Sequence, residues 1–235
     1  MQPAIIIPVY NHVKNIAGVV HQALELGLPV FVVDDGSTDG TAELLDAIEG
    51  ITVLHHPVNR GKGAALLTGF TAACKKGCDW GLTLDGDGQH RPADAEKLLA
   101  AVAGGSRCIV VGRRQGMMKD NVHVPWTSRF GRGFSNFWVR VSGGPAIRDS
   151  QSGFRLYPLP EVLDLGVRAR RYQFEVEVLV RARQSGLATL EAPVSVVYQP
   201  KGERVSHFRP WVDFGRNSTT FTRLIFARIF RMFRP

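Results

Sequence analysis

No run among the 235 residues approaches the 18 or more consecutive apolar residues of a membrane-spanning helix. The opening residues, MQPAIIIPVYN, lack the basic region, long apolar region and cleavage site of a secretory signal, so a cytosolic protein is expected. Cysteine is scarce. Cys74, Cys78 and Cys108 are odd in number, and Cys74 and Cys78 have no second Cys or His pair with which to complete a zinc site, so idle or buried thiols are expected. Acidic residues are missing after Asp213, whereas Arg216, Arg223, Arg228, Arg231 and Arg234 all follow it. The formal net charge of +8 therefore belongs largely to the tail. Internal repeats and low-complexity linkers are also absent.

At 44% hydrophobic and 21% charged residues, the composition is that of one globular domain with a proper core. Apolar β-rich runs alternate with helical patterns. AIIIPVY (4–10), VFVVD (30–34), ITVLH (51–55), WGLTLD (80–85) and CIVVGR (108–113) are separated by predicted helices over about 13–26, 41–48 and 62–76 and one opening at Pro92. Continuous rather than alternating hydrophobicity implies strands covered on both faces, hence a mainly parallel, doubly wound α/β sheet. After Pro125 the rhythm changes to an arginine-bearing helix, a glycine-rich break, a helix near 175–183 and a strand over 188–198, read as completing the same domain. In such sheets ligands sit beyond the carboxyl ends of the strands. PVYNH, DDGSTDGT, DGDGQH and GRR all fall there.

LTLDGDGQH (82–90) places Asp85 and Asp87 where an apolar strand ends. An Asp-Gly turn is one reading. A calcium loop fails, because His90 stands where glycine is required, Gln89 replaces the third acid, and a strand precedes it. The remaining reading is a divalent cation held by Asp85 and Asp87, which point the same way at a spacing of two along an extended chain. In VVDDGSTDGT (32–41), Ser37, Thr38 and Asp39 are helix-capping types, but capping does not need both Asp34 and Asp35; a carboxylate at a strand end can accept bonds from a ribose hydroxyl or a base N–H. NRGKGAAL (59–66) is not a P-loop, since Gly63 stands where Ser or Thr should follow Lys62, yet a glycine-rich basic helix start still favours an anion.

PVYN, VDDGSTDGT, NRGKGAAL and LDGDGQH, in this order and spacing, closely resemble the inverting family 2 glycosyltransferases of the GT-A fold. DSQSGFR, FEVEVL and GERVSHFRP extend the likeness over about residues 3–215. Among subfamilies the resemblance is greatest to dolichyl- and polyprenyl-phosphate sugar (mannose) synthases. The resemblance implies a Rossmann-like GT-A domain over 1–215, followed by a basic amphipathic helix over 216–235. It also implies that Pro8, Tyr10, Asp34 and Asp35 hold the base and ribose of a nucleotide-diphosphate sugar donor, with Lys62 on the donor side. Asp85, Asp87 and Gln89 match the motif that grips the diphosphate through Mg²⁺ or Mn²⁺. Arg113 and Arg129 look like residues that meet an acceptor phosphate, and Ser206 and Arg209 like a late loop over the phosphates. Asp149, Gln151 and Glu175 match positions facing the sugar and acceptor. Two departures stand out: PVYNH carries His12 where the family has an acid, and the serine expected three residues after Arg129 is Arg132, unless the register shifts to Ser135.

A monophosphate acceptor is already an anion and needs no strong base, whereas a hydroxyl acceptor would, with Asp149 and Glu175 as the candidates. In TTFTRLIFARIFRMFRP, Phe221, Ile225, Phe226, Ile229, Phe230, Met232 and Phe233 cover about half of a helical wheel and the arginines the other, with Leu224 as the exception. Such a helix either packs on the core or a second subunit, or lies in the interface of an anionic membrane; a lipid acceptor favours the second, peripheral on the cytosolic face. The rivals are a glycosyltransferase acting on a hydroxyl or carboxylate of another lipid or pigment, a sugar nucleotidyltransferase, and a non-enzymatic binder of anionic surfaces. Nucleic acid is not an expected partner, because the carboxylates crowd the ligand edge.

Overall fold

The computed structural model describes residues 1–115, 126–196 and 210–232. β1 (Pro3–Val9), β2 (Val30–Asp34), β3 (Ile51–His55) and β4 (Trp80–Thr83) alternate with α1 (Ile16–Leu24), α2 (Thr41–Asp46) and α3 (Lys62–Lys75). A 3₁₀ turn at Pro92–Asp94 leads into α4 (Ala95–Ala100), then β5 (Cys108–Arg114) and α5 (Trp126–Val141). β6 (Arg155–Pro158), α6 (Glu161–Asp164), α7 (Phe174–Gln184), β7 (Ala188–Val194) and α8 (Pro210–Met232) complete the order. The sheet runs β3-β2-β1-β4-β6-β5-β7, and β6 alone is antiparallel to its neighbours. The expectation of a mainly parallel α/β sheet flanked by helices holds.

The burial of β1 shows why its run is continuously apolar. Ile5, Ile7 and Val9 pack with Ile16, Val19 and Val20 of α1 on one face, while Ala4 and Ile6 pack with Leu66 and Phe70 of α3 on the other. Side chains alternate across a strand, so a sheet with two helical layers needs apolar residues at every position. β3 differs from expectation in being only half-covered, because it is the sheet edge. The first helix starts at Ile16 instead of residue 13, since Val13 donates its N–H to Asp39 Oδ2 at 3.1 Å and so belongs to the loop. β6 opens at Arg155, the last residue of the glycine-rich break, and runs beyond it, where no strand is expected from the sequence.

α8 begins at Pro210, earlier than the expected boundary at 216. Its inner side chains Phe221 and Leu224 pack with Val139 of α5 and Val176 and Val180 of α7. The Leu224 that breaks the wheel pattern is thus a core contact. Glu177 of α7 is fully buried and holds this corner together: it accepts the N–H groups of Arg168 and Ala169 at 3.2 and 3.0 Å and the guanidinium groups of Arg181 and Arg223 at 2.6 and 2.5 Å. Removing a buried anion strands its partners. Glu177→Ala is expected to cost about 3 kcal/mol in urea unfolding and to make α8 the first segment cut in limited proteolysis; a loss below about 1 kcal/mol would contradict this role.

Candidate active site

The loops beyond the carboxyl ends of the strands are tied to one another by side chains. Asn11, with φ of 53°, accepts Thr38 N–H at 2.8 Å and donates its own N–H to Ser37 Oγ at 2.9 Å. Asp34, at the end of β2, accepts Ser37 N–H at 3.1 Å and lies 3.3 Å from His55 Nδ1. Asp35 is buried with both oxygens engaged: Arg60 N–H at 2.9 Å and His56 Nδ1 at 2.7 Å on Oδ1, and Gly61 N–H at 2.7 Å on Oδ2. Asp35 therefore pins the loop that launches α3. Pro8 is buried in β1, and Tyr10 is half-buried immediately after it.

That anchoring sets Lys62 at the first position of α3. Gly63 allows it: a Cβ there would come within 2.7 Å of the Phe174 Cβ and 2.8 Å of the Ala169 carbonyl, so only glycine lets α3 start this close to α7. The Lys62 ammonium then lies 2.6 Å from Asp85 Oδ1 and 2.5 Å from Glu175 Oε1. Side-chain exposure is 16% for Lys62, 26% for Asp85 and 9% for Glu175, so Asp85 is the most exposed of the three. Burial by itself would lower the Lys62 pKa, but Asp85 and Glu175 outweigh it and raise it above the ordinary lysine value. Burial would raise the Asp85 pKa, and Lys62, with help from His90 and Arg114, holds it below the usual carboxylate range. Gly153 backs the pair: a Cβ there would collide with the Asp85 carboxylate and stand 2.7 Å from Lys62 Nζ.

Beside this bridge lies a second buried pair. Arg114 Nε and Nη2 donate to Asp149 at 2.7 and 2.8 Å, and Arg132 Nη1 of α5 is 3.9 Å from the same carboxylate. Burial would raise the Asp149 pKa; the two arginines, Arg114 foremost, pull it below its ordinary value. Ser135 is buried and accepts the Ser150 hydroxyl at 2.9 Å, which places it against the 149–155 loop. That loop is shaped around Arg155, wholly buried, whose guanidinium donates to the carbonyls of Ser152, Glu175 and Ser150 at 2.7, 2.7 and 2.8 Å.

Of the residues singled out from sequence, the structure thus gathers Lys62, Asp85, Glu175, Asp149 and Arg132. Asp87 and Gln89 sit in the loop after β4, where Gln89 donates its N–H to Asp87 Oδ1 at 3.0 Å. Gln151 is half-buried between Asp149 and Gly153, and Arg113 is half-buried in β5. Arg129 lies in the first turns of α5, and Ser206 and Arg209 lie outside the described residues. Asp34 and Asp35 are committed to loop contacts, although their ribose assignment has a separate basis. Sequence reasoning missed Arg114, Gly153, Arg155 and His90; the motif DGDGQH does carry His90, directly after Gln89.

Among the described residues no three His, Cys, Asp or Glu side chains group to hold a metal ion. What the loop after β4 offers is two carboxylates and an amide. These oxygen donors suit Mg²⁺ or Mn²⁺, hard cations that take one or two carboxylates and leave the remaining coordination to substrate phosphates and water. The donor set fits a substrate-completed site and not a preformed cage.

The sequence pattern described as Glycosyl transferase family 2 matches residues 4–158. The chain is 32% identical over 213 residues to a UDP-N-acetylglucosamine–dolichyl-phosphate N-acetylglucosaminyltransferase of Methanococcus voltae, covering 83% of this chain and 85% of that protein. It is 32% identical over 209 residues to a polyprenol monophosphomannose synthase of Mycolicibacterium smegmatis, covering 84% and 78%. In fold it is similar to mannosyl-3-phosphoglycerate synthase from Rubrobacter xylanophilus, with a TM-score of 0.68 at 18% identity over 99% of this chain and 75% of that one.

His90 generates a pH prediction. It is 7% exposed, and its pKa is pushed down to about 4, first by burial and then by Arg114 and Lys62, against the opposite pull of Asp85 and Asp149. The unfolded chain, with an ordinary value near 6.5, takes up the proton first, so stability should fall as pH drops from about 6.5 towards 4. About 2 kcal/mol of the loss between pH 7 and pH 5 is assigned to this imidazole. His90→Gln should flatten the slope by that amount in urea titrations at the two pH values, and an unchanged slope would clear His90 of it.

Proposed function

The chain belongs to glycosyl transferase family 2, and on that premise we propose that it transfers a sugar, with inversion, from a nucleoside diphosphate donor to a polyprenyl phosphate. The observation that carries this reading is that Asp85, after β4, lies within the electrostatic reach of Arg114 of β5, which together with Arg132 of α5 flanks Asp149. Relatives named for dolichyl-phosphate and polyprenol substrates support the acceptor class.

In this reading an oxygen of the lipid phosphate attacks the anomeric carbon, the bond from that carbon to the diphosphate breaks, and the nucleoside diphosphate departs. Mg²⁺ or Mn²⁺ on Asp85, Asp87 and Gln89 would supply stabilisation of the charge developing on the diphosphate. Asp34, Tyr10 and Pro8 are assigned to the nucleoside, and Arg113, Arg129 and Arg132 to the acceptor phosphate. The state of the candidate bases favours a phosphate over a hydroxyl acceptor. Asp149 is held by Arg114 and its pKa is depressed, which makes it a poor proton acceptor, and Glu175 is already engaged by the Lys62 ammonium. A phosphate acceptor needs no proton removed.

Among the described residues no helix is long and apolar enough to cross a membrane. The outer face of α8, with Phe226, Ile229 and Phe230 at 56%, 41% and 69% exposure, supports docking on the anionic surface in which such an acceptor resides. Phe137 of α5 adds to the exposed large apolar side chains.

Two assays test these assignments. With undecaprenyl phosphate, Mn²⁺ and a panel of UDP- and GDP-sugars, nucleoside diphosphate release is expected from at least one donor. Asp87→Asn should lower it by a factor of 10³ or more while leaving the far-UV circular dichroism unchanged; retained metal-dependent turnover would refute the metal assignment. Replacing Phe226, Ile229 and Phe230 by Ser spares the inner Phe221 and Leu224, and is expected to weaken sedimentation with anionic liposomes at least tenfold. Undiminished binding would remove α8 from the surface.

A further inference from the structure

The Lys62 ammonium is bonded to Asp85, one of the carboxylates assigned above to a metal ion. It lies 2.6 Å from Asp85 Oδ1, in a space that exists only because Gly153 has no side chain. The ammonium has a second partner in Glu175, at 2.5 Å, on a different element from Asp85. It can therefore leave one carboxylate without losing its only counter-charge.

Resting on the donor assignment above, we propose that Lys62 is a resident counter-ion that blocks Asp85 against a divalent cation until a nucleoside diphosphate arrives, and that Glu175 is the station onto which it then withdraws. The reasoning is electrostatic. Asp85, Asp87 and Glu175 together carry three negative charges, and Lys62 offsets one. A doubly charged ion placed on Asp85 beside an ammonium meets repulsion in a poorly solvated site, where it is weakly screened. The diphosphate brings its own negative charges to the same place, so that a divalent ion and Lys62 are tolerated together. Metal and donor binding become linked through one side chain, and the linkage is reciprocal. The protein is then spared from holding Mg²⁺ or Mn²⁺ in a site with nothing to activate. Glu175 and Lys62 act here as positioning residues; the loop after β4 does the gripping.

The test is Mn²⁺ binding by calorimetry, alone and with UDP or GDP, on folded protein verified by circular dichroism. The wild type is expected to bind Mn²⁺ at least tenfold more tightly with the diphosphate than without. Lys62→Met removes the blocking charge and should tighten binding of Mn²⁺ alone at least tenfold, shrinking the diphosphate effect by a similar factor. Lys62→Arg keeps the charge and should behave as the wild type. Glu175→Gln removes the second station and should weaken Mn²⁺ binding both with and without diphosphate. Should Lys62→Met fail to fold, Lys62→Gln and Glu175→Gln report the same balance. Unchanged or weaker binding of Mn²⁺ alone to the neutral Lys62 variants overturns the proposal while leaving the metal site standing. Absence of Mn²⁺ uptake by every variant, even with diphosphate, overturns the metal assignment itself.

Discussion

A single ammonium shared by two carboxylates organises the loops beyond the carboxyl ends of the strands. Lys62 opens α3, Asp85 follows β4 and Glu175 lies in the first turn of α7, so one bridge joins three elements that are far apart in sequence. A buried bridge of this kind adds little to stability, because desolvating three charges offsets most of their mutual attraction. What it fixes is geometry: the β4 loop cannot shift against α7 without stranding a charge. The approach of α3 to α7 that this requires depends on Gly63, and the anchoring of its first turn depends on Asp35 holding Arg60 and Gly61 by their backbone N–H groups.

The fold carries more buried acid than a single metal ion would need, and the surplus, at the site and at the α8 corner alike, is absorbed by the protein itself. Asp35 is satisfied by two backbone N–H groups and His56, Asp149 by Arg114, and Glu177 by two arginines and two backbone N–H groups. Each is thereby converted from a reactive group into an anchor. His90 illustrates the complementary case. Two cations and two anions surround it, burial prevails over their opposing pulls, and it stays neutral at neutral pH. A neutral imidazole next to Asp85 adds no competing positive charge to the loop that would receive a metal ion.

The sheet was legible because its strands are covered on both sides. Runs such as AIIIPV admit little else, and β1, β2, β4 and β5 follow them closely. β6 was not, since RLYP is four residues long and begins with a charge. Arg155 can be buried there only because the carbonyls of Ser150, Ser152 and Glu175 converge on it, and Glu175 lies 20 positions away. At the site, residue types and spacing located the carboxylates but not their partners. Lys62 read as an anion-binding residue near a helix start, whereas its closest neighbours are acids, one of them 113 positions further on. Pairings of that range depend on how α7 lies across α3, which no local pattern encodes. The likeness to a known family located Asp85, Asp87 and Glu175, but was silent on Gly153 and Glu177, whose roles arise from close packing.

α7 also connects the two ends of the proposed reaction. Glu175 and Glu177 stand two positions apart on it, the first bonded to Lys62 at the donor side and the second to Arg223 of α8. A helix turns about 200° in two residues, so neighbouring acids can serve opposite sides of one rod. The apolar residues of α8 divide in the same manner: Phe221 and Leu224 are buried against α5 and α7, while Phe226, Ile229 and Phe230 remain exposed. Leaving three such side chains in water forgoes roughly 1.5–3 kcal/mol each relative to full burial. That cost is intelligible if another phase covers them. Because the inner half of α8 is packed and ion-paired to α7, any surface that takes up the outer half is held in a fixed relation to the Lys62 bridge. A lipid-borne acceptor needs this: its phosphate must reach the sugar carbon at a set height above the membrane, and a tail on a flexible tether would fix no such height.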